Sequence, residues 1–183
     1  MCMRRIAILL AALPLAACNQ GIDLTNASIE QVVDASKNAE TPEPGMWQTT
    51  TTLAAMDLGP IAAGNPQAAA MMKQQIGKTQ TISACLTPDK AQSPVLAGIE
   101  QLKNSGCRFD TFKLGGGTLD ATMACQRPGG RMTVSQKGTY SSTAYDLQST
   151  VAQGDAGKPA TSMTVHVVAK RTGACEAGTP KTS

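Results

Sequence analysis

The segment from Cys107 to Cys125 constrains the fold of this chain more than any other segment does. A glycine triplet, Gly115–Gly117, lies at its centre, and Gly116 is equally distant in sequence from the two cysteines. Glycine tolerates the positive φ angles that tight turns between paired strands need. The triplet therefore predicts a β-hairpin that is folded about Gly116, with the two cysteines facing each other.

The predicted hairpin has one apolar and one polar side. The facing pairs on the apolar side are Cys107 with Cys125, Phe109 with Met123 and Thr111 with Ala121. The polar side carries Arg108, Asp110, Asp120 and Thr122. This alternation is typical of an antiparallel sheet with one face in water. Phe112 is the exception, because the pattern places it on the polar side.

Strand patterns dominate the whole region from Gly45 to Cys175, which at about 130 residues has the usual size of one domain. Residues 79–86 have strand character. Four further strands are predicted from side chains that alternate between two faces. The residues on one face are, strand by strand, Trp47, Thr49, Thr51 and Leu53; Met132, Val134 and Tyr140; Tyr145, Leu147 and Val151; and Met163, Val165, Val167 and Ala169. We therefore predict a mainly β (α+β) fold. It is an antiparallel meander that forms a curved sheet or partial barrel, with one or two short helices.

Two helices are predicted inside this domain. The first is capped by Asn65, has Pro66 at its first position and ends at Gly77, with Ala69, Met72 and Ile76 on one face, and the sheet is predicted to curve around it. The second lies within residues 89–104 and packs through Val95, Ile99 and Leu102.

Residues 19–44 are predicted to be a tether with one weak helix. Ile29, Val32, Val33 and Ser36 share a side at helical spacing, with Asn26 as the N-cap. The Pro-containing run from Thr41 to Gly45 then breaks the helix and sets a boundary. The predicted organisation is a signal segment over 1–17, the tether with Cys18 over 18–44, one β-rich domain over 45–176 and a disordered tail over 177–183.

The first 17 residues are typical of a targeting segment. Arg4 and Arg5 precede the apolar run 6–12, which is shorter than the roughly 20 residues of a transmembrane helix. The tetrapeptide from Leu15 to Cys18 resembles the lipobox of bacterial lipoproteins, which implies cleavage before Cys18 and lipid on its thiol, palmitate included. An ordinary secretory signal with a chance cysteine is the alternative. Asn19 favours the outer over the inner membrane.

Four cysteines remain for the folded domain, since Cys2 leaves with the signal segment and Cys18 takes the lipid. An even number outside the cytoplasm indicates two disulfides. The hairpin pairs Cys107 with Cys125, which leaves Cys85 to pair with Cys175. The Cys85–Cys175 bridge closes the longer loop, so we expect its loss to cost more stability. A zinc site would need a closer pair of cysteines than these, so no metal is predicted.

Composition excludes one class of function. The formal charge of +3 includes Arg4 and Arg5, which leaves +1 on the mature side chains, and the chain has one Trp, two Tyr and two Phe. A nucleic-acid-binding protein would need a basic patch and stacking side chains, so no nucleic acid is expected as a partner.

Individual side chains do not combine into a catalytic site. His166 is the single histidine and is predicted on the polar side of the last strand, and Asp110 and Asp120 share the polar side of the hairpin next to Arg108. Solvated surface charges explain these positions better than acid–base chemistry does. Of the nine methionines, Met72, Met123, Met132 and Met163 are predicted in the core. Met46, Met56 and Met71 are less well placed, which leaves Cu(I) binding by exposed thioethers open.

Short motifs near the ends of the domain carry a family resemblance. They are the Pro44-Gly45-Met46-Trp47 run, the Cys85-Leu86-Thr87-Pro88 run, Cys107, Cys125 and the segment from Arg171 to Cys175. Together they resemble the domain of unknown function 3617 family of proteobacterial envelope proteins, many of them small lipoproteins. Met46 departs from the leucine expected there. The resemblance implies a fold and a cell compartment, but it assigns no activity and no functional residues.

The expected function follows from these points. We expect an envelope lipoprotein that faces the periplasm of a Gram-negative bacterium, and a non-enzymatic binding or interaction module without cofactor. Its partners would be the membrane, through the lipid anchor, and an apolar ligand or an envelope protein. The alternative is a structural or assembly factor without a small-molecule ligand.

Overall fold

The fold is a single eight-stranded antiparallel sheet that is curved and open, as the strand patterns predicted. The computed structural model describes residues 21–91, 99, 102–127, 130–154 and 161–175. The strands are β1 (Ile22–Ser28), β2 (Gly45–Asp57), β3 (Thr79–Leu86), β4 (Cys107–Gly115), β5 (Thr118–Arg127), β6 (Gly130–Tyr140), β7 (Ala144–Gly154) and β8 (Thr161–Gly173). Their order across the sheet is β1-β4-β5-β6-β7-β8-β2-β3. Strands β4 to β8 form the predicted meander.

The hairpin of β4 and β5 has the predicted cysteine pair but a different register near its turn. Cys107 faces Cys125 and Phe109 faces Met123, as expected. A register shift between Phe109 and Thr111 then places Thr111 opposite Thr122, so the predicted Thr111–Ala121 pair is wrong. The extra residue of this bulge is Asp110, and it turns Phe112 to the apolar side, where the ring is only 2% exposed.

The expected tether is wrong for residues 22–38, which belong to the folded domain. Strand β1 pairs with β4 along its length, and helix α1 (Ile29–Ala35) follows it directly. The cap of α1 is Ser28 in a capping box with Gln31, rather than Asn26, which still belongs to the strand. Asn26 has φ +48 and is held by two hydrogen bonds from Arg108. Within α1, Val32 is fully buried, so this segment is part of the core.

The remaining helices are short. They are α2 (Pro60–Gly64), α3 (Pro66–Lys73) and α4 (Pro88–Ala91). Asn65 caps α3 as predicted, with its side-chain oxygen accepting from the backbone N–H of Ala68. Met72 and Ile76 are 43% and 39% exposed, so the predicted apolar face of this helix is wrong: it buries little more than Ala69. The helix that packs on the sheet is α1. Ile99 and Leu102 of the second predicted helix do pack against the core, while Val95 lies outside the described residues.

Two core clusters share one face of the sheet, which we call the apolar face. The larger cluster joins α1, β1, β4 and β5; its buried members are Ala27, Ile29, Val32, Val33, Cys107, Phe109, Phe112, Leu119, Ala121, Met123 and Cys125. The smaller cluster contains Trp47, Leu86, Ala91 and Ala169, with Tyr145 packed against it. Tyr140 packs against the larger cluster and faces Tyr145 across β6 and β7, so the tyrosine pair connects the two clusters.

Both disulfides have the pairing predicted from the hairpin. Cys107 and Cys125 are joined within the larger cluster, with Cα atoms 4.0 Å apart. Cys85 and Cys175 are joined across a sequence separation of 90 residues. The second bond ties β3 to the segment that follows β8. Cys18, the predicted signal segment and the predicted tail all lie outside the described residues.

Candidate binding surface

Aliphatic side chains cover the part of the apolar face that lies between the two clusters. We define the central apolar patch as Leu53, Val134, Leu147, Val151, Val165 and Val167. Cross-strand pairing brings its members together, because Val134 faces Val151, Leu147 faces Val167, and Val165 faces Leu53, with Gln136 and Ser149 between them on the same face. Alternation along each strand puts these residues on the same side of the sheet.

The central apolar patch is only half-buried. All six of its side chains keep part of their surface accessible to solvent. Val134 and Leu147 pack against the larger cluster, whereas the other four belong to neither cluster in the described part of the chain. The patch therefore presents apolar surface that a ligand or a partner can cover.

The opposite face of the sheet is polar. Charges alternate across four neighbouring strands in the order Asp23, Lys113, Asp120 and Lys137. Salt bridges of 3.2 Å join the first pair and the last pair. Such exposed pairs contribute little stability each, about 0 to 1 kcal/mol, but they keep this face in water. The contrast between the two faces makes the apolar face the candidate binding surface.

A cavity lies beside the tyrosine pair, at the end of the sheet where β6 ends and β7 begins, and its lining also includes polar-face residues such as Asp146 and Val168. It has a volume of about 330 Å³, and it is lined by the ends of β6, β7 and β8: Thr139, Tyr140, Ser141, Ala144, Tyr145, Asp146, Val168, Ala169 and Lys170. Burial raises the pKa of Tyr140, and the negative charge of Glu40 raises it further. The hydroxyl of Tyr140 is therefore neutral at physiological pH. The tyrosine that lines the cavity is apolar at its ring and polar at its hydroxyl.

The polar residues considered for catalysis lie apart from one another. Asp110 pairs with Arg131 at 2.7 Å, and Asp120 pairs with Lys137. Each carboxylate is therefore neutralised by its own cation, and the two do not form an acid–base pair. His166 is on the polar face, with its Nε2 2.6 Å from Asp146 Oδ1. The His166 side chain is 43% exposed, and its partner Asp146 lines the cavity beside the tyrosine pair.

The methionines are arranged differently from the prediction in two respects. Met123 is buried and Met132 packs against the larger cluster, as expected, but Met163 is 41% exposed and Met72 is not in the core either. Met46 and Met56 lie on the same strand, β2, and about 30 Å of extended chain separates them. These two thioethers therefore cannot bind the same copper ion. Met56 instead faces Met163 across β2 and β8.

The motif residues near the ends of the domain come together where β2 begins and β8 ends. Trp47 faces Arg171, and its indole N–H donates to the carbonyl of Glu43 at 3.0 Å. Arg171 donates through Nε to the carbonyl of Pro44 at 2.9 Å. A side chain on Gly45, which has φ +146, would collide with the carbonyl oxygen of Gly173. This cluster closes the β2–β8 junction.

Among the described residues, no group of three or more His, Cys, Asp or Glu side chains is placed to hold a metal ion. The same residues include no helix with the length and apolarity needed to cross a membrane.

The comparison with known families identifies the chain. The model of the family described as "Protein of unknown function (DUF3617)" matches residues 42–175, and the chain belongs to this family. No curated protein and no solved structure matches the chain. The matched region begins just before β2, so β1 and α1 lie outside it.

Proposed function

We propose that this protein is a non-enzymatic binding module of the cell envelope that holds an apolar ligand on the central apolar patch. The observation that carries the proposal is the half-buried aliphatic surface formed by β2, β6, β7 and β8, on a sheet whose other face is charged. A lipid on Cys18 would hold the module at the outer membrane, facing the periplasm. The motif residues of the family build the β2–β8 junction, so binding relies on other side chains.

The energetics of such a ligand are adequate. Burial of one methylene group contributes about 0.8 kcal/mol, so an acyl chain with about ten buried methylenes gains about 8 kcal/mol before the cost of association. The patch offers apolar contacts along four adjacent strands, and the hydroxyls of Tyr140 and Tyr145 offer polar atoms at one end. This combination is usual for small-molecule sites, which are apolar with a few polar groups that fix orientation.

The test uses two neighbouring valines on β8 that face opposite sides of the sheet. Val167 belongs to the patch and faces Leu147, while Val168 faces Asp146 on the polar face and is 40% exposed. The full-length protein is purified from host membranes, and the molecules it releases are identified by mass spectrometry. We expect Val167→Gln to lose the bound ligand and Val168→Gln to retain it.

Two outcomes would contradict the proposal. One is wild-type protein that releases no apolar molecule in stoichiometric amount. The other is a ligand that both valine variants retain equally, which would place the binding site elsewhere. Circular dichroism and thermal unfolding of both variants check that the sheet is intact.

An assembly factor is the second candidate function, and a different surface favours it. Met71, Met72 and Ile76 of α3 and its following turn are 63%, 43% and 39% exposed. An apolar surface of this kind suits a protein partner. Photo-crosslinking from position 71 in cells would then give a discrete protein adduct, whereas the absence of any adduct would leave the binding module as the better account.

Anchoring has its own test. Labelled palmitate should appear on the wild-type chain and disappear in Cys18→Ser, with the variant protein recovered in the soluble periplasmic fraction. Retention of both the label and the membrane association by Cys18→Ser would refute the anchor.

A further inference from the structure

We infer that the end of the sheet at the Gly116–Gly117 turn lies against the membrane that holds the lipid anchor, and that the ligand of the central apolar patch is a lipid from that membrane. The inference rests on the proposed function, because it takes Cys18 to be lipidated and the patch to bind a ligand. It specifies how the domain stands on the membrane and the class of molecule that it meets there.

The distance between the anchor and the sheet is short. Strand β1 begins at Ile22, so four residue steps separate Cys18 from the first residue of the sheet. A fully extended chain spans at most about 3.6 Å per residue, so Ile22 lies within about 14 Å of the lipidated cysteine. The flexible tether of 26 residues that the sequence predicted would have let the sheet occupy a volume around the anchor many times larger.

The pairing of β1 determines which end of the sheet lies next to the anchor. Ile22 faces Leu114, and Gly21 packs so closely on Gly115 that a Cβ added to Gly115 would lie 2.6 Å from the Gly21 Cα atom. The start of β1 is therefore next to the turn at Gly116–Gly117, where β4 ends and β5 begins. The opposite end of β4 is about 30 Å away, beyond the reach of the anchor.

The tyrosine pair, which is suited to a membrane surface, lies at this same end. Strands β6 and β8 end there and β7 begins there, so the cavity with Tyr140 and Tyr145 is at the anchored end. Tyrosine is enriched at the membrane–water interface because its ring is apolar and its hydroxyl is polar. The far end carries Met71 and Met163, which are 63% and 41% exposed.

The apolar face provides a continuous path from the anchored end. Tyr145 is followed on the same side of β7 by Leu147, the small Ser149 and then Val151, with Val167 and Val165 beside them on β8. An acyl chain whose polar group stays near the tyrosines would lie along this row of side chains. The direction of the strands therefore connects the membrane surface with the central apolar patch.

The experiment measures which end of the domain contacts lipid. Full-length lipoprotein is reconstituted in vesicles of phosphatidylethanolamine and phosphatidylglycerol, with a photo-crosslinking amino acid at Thr118 or at Met71, both exposed. We expect on the order of tenfold more phospholipid adduct at position 118, because the short segment keeps position 71 about 30 Å further from the bilayer.

A second variant tests the cause. Twenty Gly and Ser residues inserted between Cys18 and Gly21 add a flexible segment of about 25 Å root-mean-square length, so we expect the preference for position 118 to fall several-fold. Equal adducts at positions 118 and 71, no adduct at either, or an unchanged preference after the insertion would overturn the inference. These readings do not depend on the valine variants, so a failed orientation is distinguishable from a failed binding site.

Discussion

Replacement of Phe112 by alanine tests the bulge that distinguishes the observed hairpin from a regular one. The ring is 2% exposed and packs edge-to-face on Phe109, with centroids 5.3 Å apart and an interplanar angle of 76°. A fully buried Phe→Ala change costs about 3 to 5 kcal/mol, of which the aromatic pair accounts for about 0.5 to 1.5 kcal/mol. With a urea m-value of about 2 kcal/mol/M, we expect the unfolding midpoint to fall by about 2 M.

The matched control is the next residue along the strand. Lys113 is on the polar face in an exposed salt bridge with Asp23, so Lys113→Ala should change the unfolding free energy by no more than about 0.5 kcal/mol. A regular hairpin without the bulge would place Phe112 in water and give the two variants similar, small effects. Urea unfolding of Cys18→Ser protein, followed by circular dichroism, separates the two cases. A loss below about 1 kcal/mol for Phe112→Ala would refute the bulge.

Three further perturbations probe the rest of the domain. Gly45→Ala should cost more than about 2 kcal/mol in thermal or urea unfolding because φ is +146 and the added methyl meets backbone, whereas Gly64→Ala, which meets nothing within 4 Å, should be neutral or stabilising. Cys175→Ala opens the bridge to Cys85, whose separation of 90 residues gives an expected loss of about 4 to 5 kcal/mol on the loop-entropy account; a urea-unfolding loss below about 2 kcal/mol would contradict that account. The pKa of Glu30 is lowered from 4.5 by a backbone hydrogen bond and the Ser28 hydroxyl, so its stabilisation is present above pH 4.5 and is lost as the pH falls through the lowered pKa. Glu30→Gln should therefore lower the Tm at pH 7, and its difference from the wild type should shrink as the pH falls below 4.5; a difference that is the same at every pH would refute this role.

The strands and the disulfides could be predicted because their signals are local. Alternation in Met163 to Ala169 shows directly which side chains share a face, and a glycine turn defines the cysteine pair across it. The bulge at Asp110 could not be predicted from position alone, since any residue of β4 between Cys107 and the glycine turn could have been the extra one. The misplaced Phe112 was nevertheless a signal, because a large aromatic side chain on a polar face indicates a shift in register.

Strand β1 was missed because its pairing is non-local. Its sequence is short and polar, and its partner β4 lies some 85 residues further along the chain. The run from Thr41 to Gly45 does interrupt the secondary structure, as predicted, but the elements before and after it belong to one domain. Glu43 in this run and Glu40 just before it accept hydrogen bonds from Ser142, which fixes the connection to the turn between β6 and β7. Such contacts depend on the finished sheet and leave no periodic pattern.

The location of the candidate binding surface explains why the sequence identifies a family without indicating an activity. The motif residues Gly45, Trp47 and Arg171 satisfy strict local conditions, namely a backbone approach, an indole hydrogen bond and a guanidinium on a carbonyl. The central apolar patch has no such conditions, because valine, leucine and isoleucine can replace one another there with modest cost. Substitutions in a surface of this kind would alter its ligand preference only through its shape and volume. Its function is therefore found by measuring what the patch binds, with Val167 and Val168 as the discriminating pair.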